Sequence, residues 1–385
     1  MASRIEARFA GRLDAIDRHG LRRHLALPEG RSVTSNDYLA LTRDDEVQKA
    51  LRNAFEAGLP TGSTGSRLLS GHHEAVARLE ATVARWQAAD AALLYPSGFQ
   101  ANQGLLGTVL EPGDVVVSDA LNHASLIDAM RLTKAERRIV PHNDVDAIVK
   151  AIDPERPTVV VVESVYSMDG DSAPLADLAT ACAERRAALI VDEAHATGMY
   201  GPEGAGRVAE VGVREAVLAT VHPAGKALAA AGAFVVGSEA LRDLQLQRAR
   251  SFIYSTAPPP LLVATLEAVI ERIRGDAPLR ARPRQLGARL RSRLRPVVEA
   301  AGGTIPGDDS PIVPVVVGSV DAAEALAQGL RRRGWAARPI RPPTVPEGTC
   351  RVRLVVRADL TEADIDQLAN DVAAALRTSP SSCGG

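Results

Sequence analysis

The run LIVDEAHATG, Leu189–Gly198, can be read in two ways, and the choice decides the fold. As letters, Asp192-Glu193-Ala194-His195 spells the DEAH box of nucleic-acid helicases. As chemistry, it is an apolar strand ending in a carboxylate, with an imidazole three residues on. The first reading needs a phosphate-cradling loop, G-x-x-x-x-G-K-[ST], ahead of the acidic box. The one Gly-Lys pair, Gly225-Lys226, lies after it, is followed by Ala227, and has Thr220 where the first glycine belongs. The glycine-rich TGSTGSRLLSG (Thr61–Gly71) contains no lysine. A DEAH-box NTPase is therefore a remote alternative.

Bulk composition agrees with the second reading. A net charge of −2 gives no general attraction to a polyanion, so no nucleic-acid partner is expected. Apolar and charged fractions of 46% and 24% are those of a globular chain. The 385 residues are enough for two or three structural units. Cys182, Cys350 and Cys383 are far apart and have no metal-type pairing; no metal site is expected, and a reducing cytoplasm fits better than a disulfide framework. The charged start, MASRIEARFAGRLDAIDRHGLRRH, lacks a signal core, and stretches such as ALAAAGAFVVG are too short to span a bilayer. A cytoplasmic protein without membrane attachment is expected. The ending TSPSSCGG reads as a flexible tail.

From about Ala91 to Gly237, short apolar runs alternate with amphipathic ones. AALLY, DVVVS, TVVVVES, AALIVDE, AVLATVH and AFVVG are near-continuous and β-branched, as parallel strands covered on both faces are. Helix-like stretches lie between them, including HASLIDAMRLTKAERR and APLADLATACAERRA. The alternation predicts an α/β unit with a mostly parallel sheet. A helix over Glu74–Ala89 precedes it, and STAPPPLLVATLEAVIERI leads out of it. Strand-like SPIVPVVVG and CRVRLVV, among arginine-rich helices, predict a smaller α+β unit. The division expected is an N-terminal segment, 1–45, a large α/β unit, 46–270, and a C-terminal α+β unit, 271–385.

Only four of the 45 basic residues are lysines. Lys49, Lys134 and Lys150 sit in polar, helix-like surroundings, whereas Lys226 lies among small and apolar residues in PAGKALAAAG. In open α/β sheets, ligands bind beyond the carboxyl ends of the strands. Those ends carry Ser97-Gly98, His123, Glu163, Asp192 and the segment His222–Lys226. A lysine in a partly desolvated pocket loses its charge readily and can form a Schiff base. An aldehyde cofactor with a ring nitrogen needs a carboxylate to keep that nitrogen protonated. A phosphate handle needs the N–H groups of a helix start, which PSGFQANQG offers. Together these are the parts of a pyridoxal 5'-phosphate site.

The ordered series SNDYLAL, TGSTGSRLLSG, YPSGFQANQG, SDALNHASLIDA, ESVYSMDGDSAPL, VDEAHATGMYG, GKALAAAGAFV and FIYSTAPPP resembles the α-oxoamine synthases. These are pyridoxal-phosphate enzymes of aminotransferase fold type I, and the resemblance covers nearly the whole chain. It implies a large, mostly parallel seven-stranded sheet domain, a smaller α+β domain, and a homodimer that shares its active sites. It also implies an acyltransferase joining an amino acid to an acyl thioester with loss of CO2. Within the family, Ile340–Leu354 (IRPPTVPEGTCRVRL) resembles the member of biotin biosynthesis, whose substrates are L-alanine and a pimeloyl thioester. Relatives using glycine and other acyl-CoA substrates are the alternative.

Carried over by this resemblance, Lys226 holds the cofactor and moves the Cα proton. Asp192 pairs with the pyridine nitrogen, His195 meets the ring hydroxyl, and His123 stacks on the ring. Ser167 supports the ring oxygen. Gly98 and Phe99 meet the phosphate, with Ser255 and Thr256 reaching that of the neighbouring subunit. Arg22, Asn36 and Thr344 match substrate-side positions, and Arg353 holds the amino-acid carboxylate. Glu193 and Ala194 are expected to stand outside the chemistry. One departure stands out: the family's hydroxyl residue three positions before the lysine is replaced by Pro223, which offers neither hydroxyl nor N–H.

Overall fold

The computed structural model describes residues 3–378; Cys383 and most of the expected tail lie outside them. Seven strands form the large sheet: β1 (Ala91–Tyr95), β2 (Val115–Asp119), β3 (Glu136–Val140), β4 (Thr158–Glu163), β5 (Ala188–Asp192), β6 (Ala219–Pro223) and β7 (Ala233–Gly237). Their spatial order is β1-β7-β6-β5-β4-β2-β3. Pairing is parallel from β6 to β3, and only β7 runs against its neighbours. The carboxyl ends of the other six strands therefore share one edge, where Tyr95, Asp119, Glu163, Asp192 and Pro223 terminate their runs. The register sets Glu163 beside Asp192, and Asp192 beside Val221.

Alternating side chains divide the valine-rich strands between two cores. Val160 and Val162 pack with Leu175 and Leu178, while Val159 and Val161 pack with Leu105 and Leu126. Such double burial is why the strands read as unbroken apolar runs. β3 differs. Its sequence, ERRIV, falls in a stretch whose pattern predicts helix, yet the helix ends at Leu132 and an edge strand follows. Only β2 pairs with it, and Glu136, Arg137 and Ile139 are exposed. Charged side chains suit an edge because they discourage pairing with another chain. They also remove the apolar signature that revealed the other strands.

The helix Pro260–Gly275 runs through the expected division at 270. Asp276 then caps Ala277–Ala300 by accepting from Leu279 N at 2.8 Å. Beyond it, β8 (Ile312–Gly318), β9 (Pro339–Ile340) and β10 (Cys350–Val355) form an antiparallel sheet in the order β9-β10-β8. Its own core gathers Leu290, Leu294, Val313, Val315, Val352 and Leu354. Among the described residues no helix is long and apolar enough to cross a membrane.

Candidate active site

A cavity of ≈ 370 Å³ opens beyond the shared strand edge, within the size range of small-molecule sites. Asn36, Gly98, Phe99, His123, Asp192, His195 and Lys226 line it, and all seven were expected from the sequence. Glu163, Asn102, Ser125 and Pro223 join them.

Asp192 ends β5 buried at 3% exposure and is held from two sides. Its Oδ1 accepts the N–H of Ala194 at 2.9 Å, and its Oδ2 accepts from Asn102 Nδ2 at 2.9 Å. Asn102 lies in the helix Gly98–Val109 and bonds Ser125 Oγ as well, at 2.9 Å. The chain then folds into turns, and Thr197 N reaches Glu193 O at 2.9 Å. This brings His195 back over the strand end. Its Nδ1 lies 2.6 Å from Tyr38 Oη. Burial, followed by the charges of Lys226 and Arg353, holds the His195 imidazole well below its usual pKa, so it is neutral. Burial also raises the Tyr38 phenol to about 12, which keeps its proton available. Tyr38 and His195 share this hydrogen bond, and Tyr38 Oη also reaches Asn36 Oδ1 at 3.4 Å.

Lys226 lies in the loop between β6 and β7 and keeps part of its surface open. Burial lowers its pKa, against the opposing charges of Asp192 and Glu163, so the amine loses its proton more easily. Glu163 shifts the other way. Burial, then the charge of Asp192, raises its pKa well above the carboxylate range, and its Oε1 has no partner. His123 caps its own helix by accepting from Ser125 N at 3.2 Å, and burial lowers its pKa.

Ser97 caps the helix Gly98–Val109, leaving the N–H groups of Gly98 and Phe99 without helical acceptors. A Cβ on Gly98 would stand 2.9 Å from Pro223 Cγ, so the proline ring closes this cradle and only glycine fits opposite it. Thr220 does not stand in for the missing hydroxyl. It is buried, with bonds to His222 at 2.8 Å and Arg214 at 3.2 Å.

The other expected residues lie further out. Arg353 on β10 donates through Nη2 to Asn36 Oδ1 at 2.6 Å, which ties the small sheet to the cavity, and its Nε is buried without a partner. Ser255 accepts from Gln100 Nε2 at 2.8 Å, and Thr256 bridges Ser66, both within the same chain. Arg22 and Thr344 line a separate, arginine-rich cavity of ≈ 840 Å³. Arg22 pairs there with Asp17 at 2.7 Å, and Thr344 accepts from Arg23 at 3.3 Å. Ser167 lies in the turn after β4, partly buried and outside the cavity lining. Glu193 is more than a bystander to the fold. Buried, it accepts from Ser164 Oγ at 2.7 Å, Arg207 N at 3.0 Å and Val208 N at 2.6 Å, anchoring the turn that carries His195.

Asn102 and Tyr38 went unassigned in the sequence, although both lie inside quoted motifs. The site fits pyridoxal phosphate by its donor set: an amine with lowered pKa, a braced carboxylate, a neutral imidazole and a glycine cradle at a helix start.

Comparison with known proteins agrees. Residues 32–372 match the family model of aminotransferase class I and II. The 8-amino-7-oxononanoate synthase of Paracidovorax citrulli is 42% identical over 350 residues, 88% of this chain and 84% of that protein. That of Marinobacter nauticus is 40% identical over 346 residues, 88% and 86% of the two chains. Among solved structures, the serine palmitoyltransferase of Sphingomonas wittichii superposes with a TM-score of 0.86 at 27% identity, over 98% of each chain. The 8-amino-7-oxononanoate synthase of Francisella tularensis does so with 0.77 at 25%, over 90% of this chain and 98% of that one. A further serine palmitoyltransferase structure holds pyridoxal phosphate as an internal aldimine. The chain belongs to the aminotransferase class I and II family. The fold type I architecture and the α-oxoamine synthase resemblance read from the motifs are both borne out.

Proposed function

We propose that this chain is a pyridoxal-phosphate-dependent acyltransferase of biotin synthesis. It condenses L-alanine with a pimeloyl thioester, on coenzyme A or a carrier protein, and releases the thiol, CO2 and 8-amino-7-oxononanoate. The observation that carries this reading is the meeting of Lys226, Asp192 and His195 in one cavity. Identity of 40% to relatives named for that product supports it.

When bound, pyridoxal phosphate supplies an aldehyde that captures amines and a ring that takes up negative charge from the adjacent carbon. Lys226, whose amine gives up its proton more easily because it is buried, is the nucleophile and the base that takes the Cα proton and later returns one. Asp192, braced by Asn102, holds a proton on the ring nitrogen. His195 would meet the ring oxygen, with Ser167 in support. Gly98 and Phe99 give N–H groups to the phosphate, joined by Ser255 and Thr256 of a second subunit. His123 faces the ring and the incoming thioester. Arg353, aligned by Asn36, takes the alanine carboxylate, while Arg22 and Thr344 serve the substrate side.

A homodimer with shared sites belongs to the same reading. Ile5, Phe9, Leu13 and Ile16 form an exposed apolar stripe on the helix Arg4–Arg18, and Leu25, Leu69 and Tyr254 are also exposed. A second copy would cover them.

The closer superposition on serine palmitoyltransferase favours one rival reading, a different amino acid joined to a longer acyl chain. Thiol release distinguishes the two when L-alanine, glycine and L-serine are each paired with pimeloyl-, acetyl- and palmitoyl-CoA. Turnover only with serine and palmitoyl-CoA overturns the proposal; turnover with alanine and pimeloyl-CoA supports it.

A further inference from the structure

The chain leaving β4 closes a tight turn: Tyr166 N donates to Asp171 O and Gly170 N to Tyr166 O, each at 2.9 Å. Charged residues hold this turn from opposite sides. From the large sheet, His142 lies between Asp119 at the end of β2 (Nδ1 to Oδ1, 2.9 Å) and Asp171 (Nε2 to Oδ2, 2.6 Å). Asn143 repeats the bridge, with its backbone N–H on Asp119 Oδ2 and its side chain on Asp171 Oδ2, each at 2.8 Å.

From the small sheet, the buried Arg351 of β10 donates through Nη1 to Met168 O at 3.1 Å and to Asp169 Oδ1 at 2.5 Å. The backbones press as closely. A Cβ on Gly170 would lie 2.6 Å from Ile312 O, at the start of β8, and one on Gly307 would collide with Asp169 O. Both glycines have positive φ, 70° and 77°, so a side chain there is excluded on conformation as well as space. The small sheet thus sits directly on this turn.

Arg351 and Arg353 are two apart on β10, so their side chains leave the same face of the strand. Arg351 goes to the turn and Arg353 to Asn36 at the cavity. A strand is stiff over two residues, and a displacement at one is passed almost whole to the other.

We propose that Arg351 is a positioning residue: paired with Asp169 on a turn fixed by His142, it sets where β10 lies against the large sheet and so where the Arg353 guanidinium meets substrate. The proposal rests on the reading of Arg353 as the holder of the amino-acid carboxylate. Misplacement of such a group by about 1 Å costs up to ~10²-fold.

The test uses holoenzyme and follows the absorbance of bound pyridoxal phosphate during titration with L-alanine, glycine or L-serine. Asp169→Asn and Arg351→Met are expected to raise the amino-acid Kd about tenfold and leave the pyridoxal phosphate Kd unchanged. Arg351→Lys keeps the charge and recovers part of the loss. Asp169→Asn in an Arg353→Ala background costs nothing further. If Arg353→Ala weakens amino-acid binding while Asp169→Asn and Arg351→Met do not, the positioning role is wrong and the reading of Arg353 stands. If Arg353→Ala also has no effect, both fall. A drop in Tm with the two Kd values rising together means a general structural role and overturns the proposal.

Discussion

Asn102 Nδ2 donates to Asp192 Oδ2 at 2.9 Å, so a carboxylate lining the cavity is braced by a helix that begins at the proposed phosphate cradle. One rigid element therefore carries both the cradle, Gly98 and Phe99, and the group that aims Asp192. A hydrogen bond to a buried charge contributes ~1.5–3 kcal/mol. Asn102→Ala is expected to raise the pyridoxal phosphate Kd at least tenfold, measured by absorbance titration of apoprotein. An unchanged Kd would show that Asp192 is positioned by its backbone contact to Ala194 alone.

Burial lowers the pKa of Lys226. Lys226→Ala is expected to abolish the visible band formed with pyridoxal phosphate and to cut thiol release at least ~1000-fold. Retention of the band in this variant would place the cofactor's amine partner elsewhere and undo the assigned chemistry.

Much of this was legible because strand ends in a parallel sheet converge on one edge, so a linear reading of those ends already groups His123, Asp192 and Lys226. Asn102 was not legible as the partner of Asp192, since the two are 90 positions apart and nothing local encodes their meeting. Tyr38 escaped for the same reason, its contact to His195 spanning 157 positions. β3 escaped because an edge strand carries charge where buried strands carry valine. Glu193 looked dispensable to the chemistry, yet as a buried carboxylate it needed donors, and Ser164, Arg207 and Val208 provide them.

Pro223 is the sharpest departure from the family pattern, and its ring packs against Gly98. Pro223→Thr restores a donor without adding bulk beyond what the proline already fills against Gly98. A new hydroxyl–phosphate bond of ~1.5 kcal/mol lowers the pyridoxal phosphate Kd about tenfold. Equilibrium titration reads this directly, and a Kd that stays level or rises would mean that the remaining N–H groups already satisfy the phosphate.

His142 gives a pH signature distinct from catalysis. Burial opposes its charge, but the bonds to Asp119 and Asp171 prevail and raise its pKa to about 10, against an ordinary value near 6.5. A raised folded-state pKa stabilises fully below the unfolded value. Between about 6.5 and 10 the unfolded chain has lost this proton while the folded chain keeps it, so stability falls with rising pH across that window. Wild type should therefore lose more stability between pH 7 and 10 than His142→Asn, whose side chain does not titrate. Urea denaturation of both proteins at pH 6, 8 and 10 measures the difference. Parallel curves would mean that His142 is neutral in the fold and that Asp119 and Asp171 are joined without its charge.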